Sequence, residues 1–107
     1  MPIYNKLVRD NIPEIIKSNG KTPKISTLSD EEYIIELKKK SIEEIQEYIE
    51  TSNDNDALEE LADVLEIIHA CAKIHNADFD KVEAIRREKA EHRGGFEKKT
   101  FLFEVEE

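Results

Sequence analysis

Two groups of carboxylates stand at helical spacing in this chain of 107 residues. The first is Glu43-Glu44-Ile45-Gln46-Glu47 and the second is Glu60-Leu61-Ala62-Asp63. Residues three or four apart share a helix face, so Glu44 pairs with Glu47 and Glu60 with Asp63. If the two helices run antiparallel, the two pairs meet across the groove between them. Oxygen-only donors of this kind suit Mg²⁺, Mn²⁺ or Ca²⁺ better than Zn²⁺. With 25 acidic residues in the chain, some such pairs arise by chance, and the Glu43–Glu47 run taken alone reads first as a solvated face.

The helix around Glu60 tips the balance towards chemistry. At about 100° per residue, Glu60, Asp63, Val64, Ile67, Cys71 and Ile74 fall on one stripe. Leu58, Leu61, Leu65, Ile68 and Ala72 form a second apolar stripe, and Glu59, Glu66, His69 and Lys73 fill the polar arc. Glu60 and Asp63 therefore stand in line with residues that should be buried. A lone carboxylate in such a place either shifts its pKa or needs a compensating cation. On the preceding helix Glu44 lies at the edge of the apolar arc, while Glu43 and Glu47 lie away from it. A site at the groove margin thus takes Glu44 and Glu47 more easily than Glu43. Two apolar stripes on one helix also suggest a central place in a bundle or a subunit interface.

Basic residues form a second candidate set. Val82, Ile85, Arg86, Lys89 and Arg93 follow one face of a helix that turns from apolar to basic towards its C-terminal end. Lys89 and Arg93, with Lys6 and Arg9 near the N-terminus, either favour a helix end and the solvent or neutralise phosphate oxygens. Spacing weighs the two equally. Cys71 and His75 are four apart but have no further soft ligand, so Cys71 reads as a core thiol. In Lys38-Lys39-Lys40, local pairing such as Glu36 with Lys40 is expected.

The elements that must position these groups are helices. Asn11-Ile12-Pro13-Glu14 opens a helix that stops at Asn19-Gly20. Ser29 or Asp30 caps a long helix carrying Ile34, Leu37, Ile42, Ile45, Tyr48 and Ile49. After a polar turn over residues 51–55, a third helix runs from about Asp56 to His75. Asp78 caps a fourth that reaches about Arg93, and Gly94-Gly95 ends it. The pattern predicts an all-α bundle of about four helices, with a small two-stranded β piece expected from the segment near Ile25 and the β-prone tail at residues 100–105.

Size and composition bound the rest. The length suits a single domain, residues 1–107. Charged residues are 38% of the chain and hydrophobic ones 38%, so the core is thin and burial against a second copy is expected. The net charge of −9 argues against binding a nucleic-acid polymer, which needs clustered Lys and Arg. It leaves phosphate substrates open, because carboxylates can hold a bridging Mg²⁺. One cysteine permits no intrachain disulfide. No apolar run approaches the ~18 residues of a membrane span, and the first ten residues lack a signal-peptide core, so a cytoplasmic protein is expected.

Together these residues resemble the MazG-type all-α nucleotide pyrophosphohydrolase superfamily, whose motif is Glu-Glu-x-x-Glu, a spacer, then Glu-x-x-Asp. Here the spacer, Tyr48 to Glu59, is short for the family. Tyr4-Asn5-Lys6-Leu7-Val8-Arg9-Asp10-Asn11-Ile12-Pro13 and Lys89-Ala90-Glu91-His92-Arg93-Gly94-Gly95-Phe96 resemble the opening and closing segments of a compact subgroup labelled phosphoribosyl-ATP pyrophosphohydrolase-like. The resemblance implies hydrolysis of a nucleoside triphosphate or related nucleotide to the monophosphate and pyrophosphate with Mg²⁺, Mn²⁺ being a substitute, in nucleotide-pool sanitation. It implies Glu44, Glu47, Glu60 and Asp63 as metal ligands. It implies Glu43 as a carboxylate behind the ligands, a further ligand or a water-orienting base. Lys6, Arg9, Lys89 and Arg93 would bind substrate phosphates, and the protein would be a homodimer or a tetramer. The competing reading is a non-enzymatic acidic helical module for dimerisation or protein interaction.

Overall fold

Local capping chemistry sets the boundaries of four helices in the computed structural model, which describes residues 2–107. They are α1 (Ile12–Ser18), α2 (Asp30–Glu50), α3 (Asp54–Ile74) and α4 (Phe79–Arg93). Pro13 sits in the first turn of α1, where its missing N–H costs no hydrogen bond. Gly20, at φ 79°, then turns the chain back. Its N–H donates to the Lys17 carbonyl and that of Lys21 to the Ile16 carbonyl, closing a Schellman motif.

Ser29 begins α2 with a reciprocal capping box: its hydroxyl accepts from the Glu32 N–H at 3.2 Å, and the Glu32 carboxylate accepts from the Ser29 N–H at 3.3 Å. Only Thr51, Ser52 and Asn53 separate α2 from α3. Helix α3 starts two residues before the expected Asp56, because the Asn53 side chain accepts from the Asp56 N–H at 2.9 Å and draws Asp54 and Asn55 into the first turn. At its far end Asn76 adopts φ 57° and closes another Schellman motif, the N–H groups of Asn76 and Ala77 donating to Lys73 and Ala72. Asp78 caps α4, and Gly94 at φ 80° ends it.

The architecture is all-α. Helices α2 and α3, each of 21 residues, pack along one another, α4 meets α3 more sparsely, and α1 packs against none of the other three. Among the described residues there is no strand. The segment near Ile25 and the tail do not pair, which corrects the expected β piece. Ile25, Phe101, Leu102, Phe103 and Val105 are all exposed. An isolated two-stranded ribbon with no face to bury is marginal in water.

The two stripes of α3 meet different fates. Val64, Cys71 and Ile74 are half-buried and Ile67 is buried, with Leu37 of α2 and Ala72 completing the small core. On the second stripe Leu58, Leu61, Leu65 and Ile68 are 38–63% exposed. Ile35, Ile42, Ile45 and Ile49 of α2 are exposed as well. The radius of gyration is 18.3 Å, against about 13 Å for a compact domain near this length. One chain therefore forms an elongated body with little core of its own.

Because the capping box fixes the entry to α2, Ser29→Ala should lower unfolding stability by about 1 kcal/mol. Urea denaturation followed by circular dichroism checks this; an unchanged midpoint would mean that the cap contributes nothing.

Candidate metal centre

Three of the sequence-nominated carboxylates converge. Carboxylate oxygens of Glu44 and Glu47 on α2 and Glu60 on α3 lie within 4.8 Å of one another. The short turn after α2 makes this meeting unavoidable once α3 lies antiparallel, since Glu44 is seven residues before the turn and Glu60 seven after it. Burial differs across the trio: Glu44 is 8% exposed, Glu60 is half-buried and Glu47 faces solvent. The site therefore sits at the margin of the α2–α3 groove, open on the Glu47 side.

Its electrostatics are unbalanced. Lys40, one turn before Glu44, places Nζ 3.6 Å from Glu44 Oε1. No other cation pairs with the trio among the described residues, and Glu44 Oε2 and Glu60 Oε2 are inaccessible to solvent yet have no hydrogen-bond partner. A buried acceptor left without a donor costs free energy, more so when charged. Burial first, then close contact and repulsion with Glu44 and Glu47, pushes the Glu60 carboxyl up to about 7. A proton or a cation relieves the crowding.

The other nominated residues are placed apart from the trio. Glu43 is exposed and lies outside the cluster. Asp63, one turn after Glu60, is not in the cluster either; it accepts a 2.6 Å hydrogen bond from Arg9 Nη2. Lys6 is exposed, with its ammonium 5.5 Å from the centre of the Tyr4 ring. Lys89 and Arg93 line a shallow groove formed by α4 alone, with Ile85, Glu88 and His92, and pair with none of the acids among the described residues. Arg86 turns instead to Glu83 at 2.9 Å, which holds the Glu83 carboxyl below its usual range.

Sequence reasoning missed Lys40. Its nominated partner was Glu36, but Glu36 takes Lys39 at 3.3 Å and Lys40 reaches forward to Glu44. The i,i+4 spacing to Glu44 was the available signal, and the burial of Glu44 decides between the two partners.

Such a trio fits a hard divalent cation. The donors are all carboxylate oxygens, two inaccessible oxygens lack partners, and the side at Glu47 is open to further oxygen ligands such as water.

No family model matches the chain, and no solved structure matches it. It is 48% identical over 54 residues to an uncharacterized protein of Mycolicibacterium smegmatis (strain ATCC 700084 / mc(2)155), an alignment covering 50% of this chain and 55% of that protein. The match thus spans about half the length of the relative.

Glu60 also makes stability depend on pH. Its folded carboxyl titrates near 7 against an ordinary value of 4.5, so between these values the folded chain holds a proton that the unfolded chain has lost. Its stabilising contribution is full below the lower value and disappears as pH rises through the upper one. Without divalent cations, the melting temperature of wild type should fall more steeply between about pH 5 and about pH 8 than that of Glu60→Gln. Parallel pH profiles for the two proteins would show that Glu60 is not held protonated.

Proposed function

We propose that this protein is a Mg²⁺-dependent nucleotide pyrophosphohydrolase of the MazG type, converting a nucleoside triphosphate or related nucleotide to the monophosphate and pyrophosphate. The observation that carries the reading is the convergence of Glu44, Glu47 and Glu60 with two buried, partnerless oxygens. The motif blocks at residues 4–13, 43–63 and 89–96 support it. A role in nucleotide-pool sanitation in the cytoplasm belongs to the same proposal. Among the described residues, no helix is long and apolar enough to cross a membrane.

Glu44, Glu47 and Glu60 would hold the Mg²⁺, with Asp63 as a fourth ligand. When bound there, the ion supplies Lewis-acid polarisation of the phosphate oxygens. The chain's own groups do the remainder. A carboxylate on the exposed side, Glu47 or Glu43, orients a water and accepts its proton. The water oxygen bonds to phosphorus as the bridging P–O bond of the α–β anhydride breaks, and the electron pair leaves with pyrophosphate. Lys6, Arg9, Lys89 and Arg93 stabilise the charge on the phosphate oxygens. Of these, Arg9 is the one that touches an acid of the motif.

A second copy of the chain completes the reading. The stripe formed by Leu58, Leu61, Leu65 and Ile68, with the exposed isoleucines of α2, is more apolar surface than a lone small chain ordinarily leaves in water. A homodimer or tetramer packed on this face covers it.

Two measurements test these proposals. Purified protein with a panel of canonical and modified nucleoside triphosphates should yield monophosphate plus pyrophosphate with Mg²⁺ and nothing with EDTA, and Glu60→Gln should lose ~10²-fold in kcat with its circular dichroism intact. Absence of turnover across the panel, together with a melting temperature indifferent to Mg²⁺, would favour the non-enzymatic helical module instead. Leu65→Glu should convert the assembly to a smaller species in sedimentation analysis, because a charge on an apolar interface has no partner there. An unchanged sedimentation coefficient would place the interface elsewhere.

A further inference from the structure

Every ion pair among the described residues joins groups at most four residues apart, with one exception. The exception is Arg9 with Asp63, 54 positions apart and 2.6 Å from nitrogen to oxygen. It joins the N-terminal arm to the bundle. The arm, residues 2–28, carries α1, which packs against no other helix, and reaches α2 through an irregular segment. Apart from the half-buried side chains of Leu7, Val8, Ile12, Pro13 and Ile16, little of it is covered before residue 20. The ion pair therefore ties down a loosely held strap.

The tie is made beside the carboxylate trio. Asp63 follows Glu60 by three residues on α3, so the two share a helix face. The Asp63 carboxylate thus has two competing claims on it: the Arg9 guanidinium, and the crowded, cation-poor cluster one turn away. We propose that Arg9 is a latch. It holds Asp63 aside and pins the N-terminal arm to the bundle, and a divalent cation at Glu44, Glu47 and Glu60 takes Asp63 from it and frees the arm. This rests on the cation site proposed above and adds its regulation: cation binding and arm release are one exchange. Asp63 changes partners without any change in covalent bonding. Arg9 acts through Asp63, as a positioning residue.

Coupling of this kind is reciprocal: whatever removes the latch must strengthen cation binding, and the cation must loosen the arm. Arg9 also repels an incoming cation, and both effects act in the same direction. The pair is half-exposed, so the coupling is screened and modest.

The test uses full-length wild type, Arg9→Ala and Asp63→Asn. Free Mn²⁺ is titrated by electron paramagnetic resonance, and hydrogen exchange of residues 2–20 is followed by mass spectrometry with and without Mn²⁺. Arg9→Ala should bind Mn²⁺ about 3- to 10-fold more tightly, and Asp63→Asn more weakly. Both variants should exchange the arm faster than wild type, and Mn²⁺ should speed exchange in wild type but not in Arg9→Ala. Two variants that loosen the same arm yet move affinity in opposite directions are not explained by a merely structural ion pair. Unchanged or weaker Mn²⁺ binding by Arg9→Ala, or slower arm exchange in wild type on adding Mn²⁺, overturns the latch. Absence of Mn²⁺ uptake by wild type and Arg9→Ala alike overturns the cation site itself, and the exchange with it, even if both variants loosen the arm.

Discussion

Three carboxylates brought together across one helix–helix groove set the terms for the rest of this molecule. Like charges at such separations repel, and burial on the Glu44 and Glu60 side strengthens the repulsion by lowering the local dielectric. One lysine, at 3.6 Å, offsets part of it. Burial first, then close contact and repulsion with its two neighbours, pushes the Glu60 carboxyl up to about 7, and two oxygens are left without hydrogen-bond donors. An arrangement that raises the energy of the folded chain in this way is of the kind that supports the cation site proposed above.

The helical frame fixes that arrangement. The capping box at Ser29 and the cap at Asn53 fix the ends of α2 and α3, and the short turn between them fixes their register. Glu44 and Glu60 then face each other symmetrically about the turn. The same frame leaves the second stripe of α3 uncovered, because α4 touches α3 too sparsely to shield it. The site and the exposed apolar face thus lie on the same pair of helices.

Much of this was legible in the residues. The helices are readable because caps and stops have local causes: Pro13, Gly20 and Gly94 act through their own backbones, and Ser29 and Asp78 through side chains that accept from N–H groups three residues on. The burial of Glu60 is readable from its place in line with Ile67, and the solvation of Glu59 and Glu66 from their place on the opposite arc. What could not be read is long-range choice. Asp63 and Glu60 occupy equivalent positions on the wheel, yet one joins the carboxylate trio and the other pairs with Arg9 from 54 residues away. Lys40 has three glutamates within one turn, Glu36, Glu43 and Glu44, and Glu44 is the buried one. The tail failed as a strand for a related reason: propensity favours extension, but pairing needs a surface, and among the described residues none covers Phe101 or Phe103.

The central claim is that Glu44, Glu47 and Glu60 form a divalent-cation site. Anomalous diffraction at the manganese edge, from crystals grown with Mn²⁺, tests it most directly. The account predicts a peak among the carboxylates of these three residues, at oxygen-coordination distance from each, and its loss in Glu60→Gln. Diffraction of the same quality with no anomalous density between α2 and α3 would contradict it.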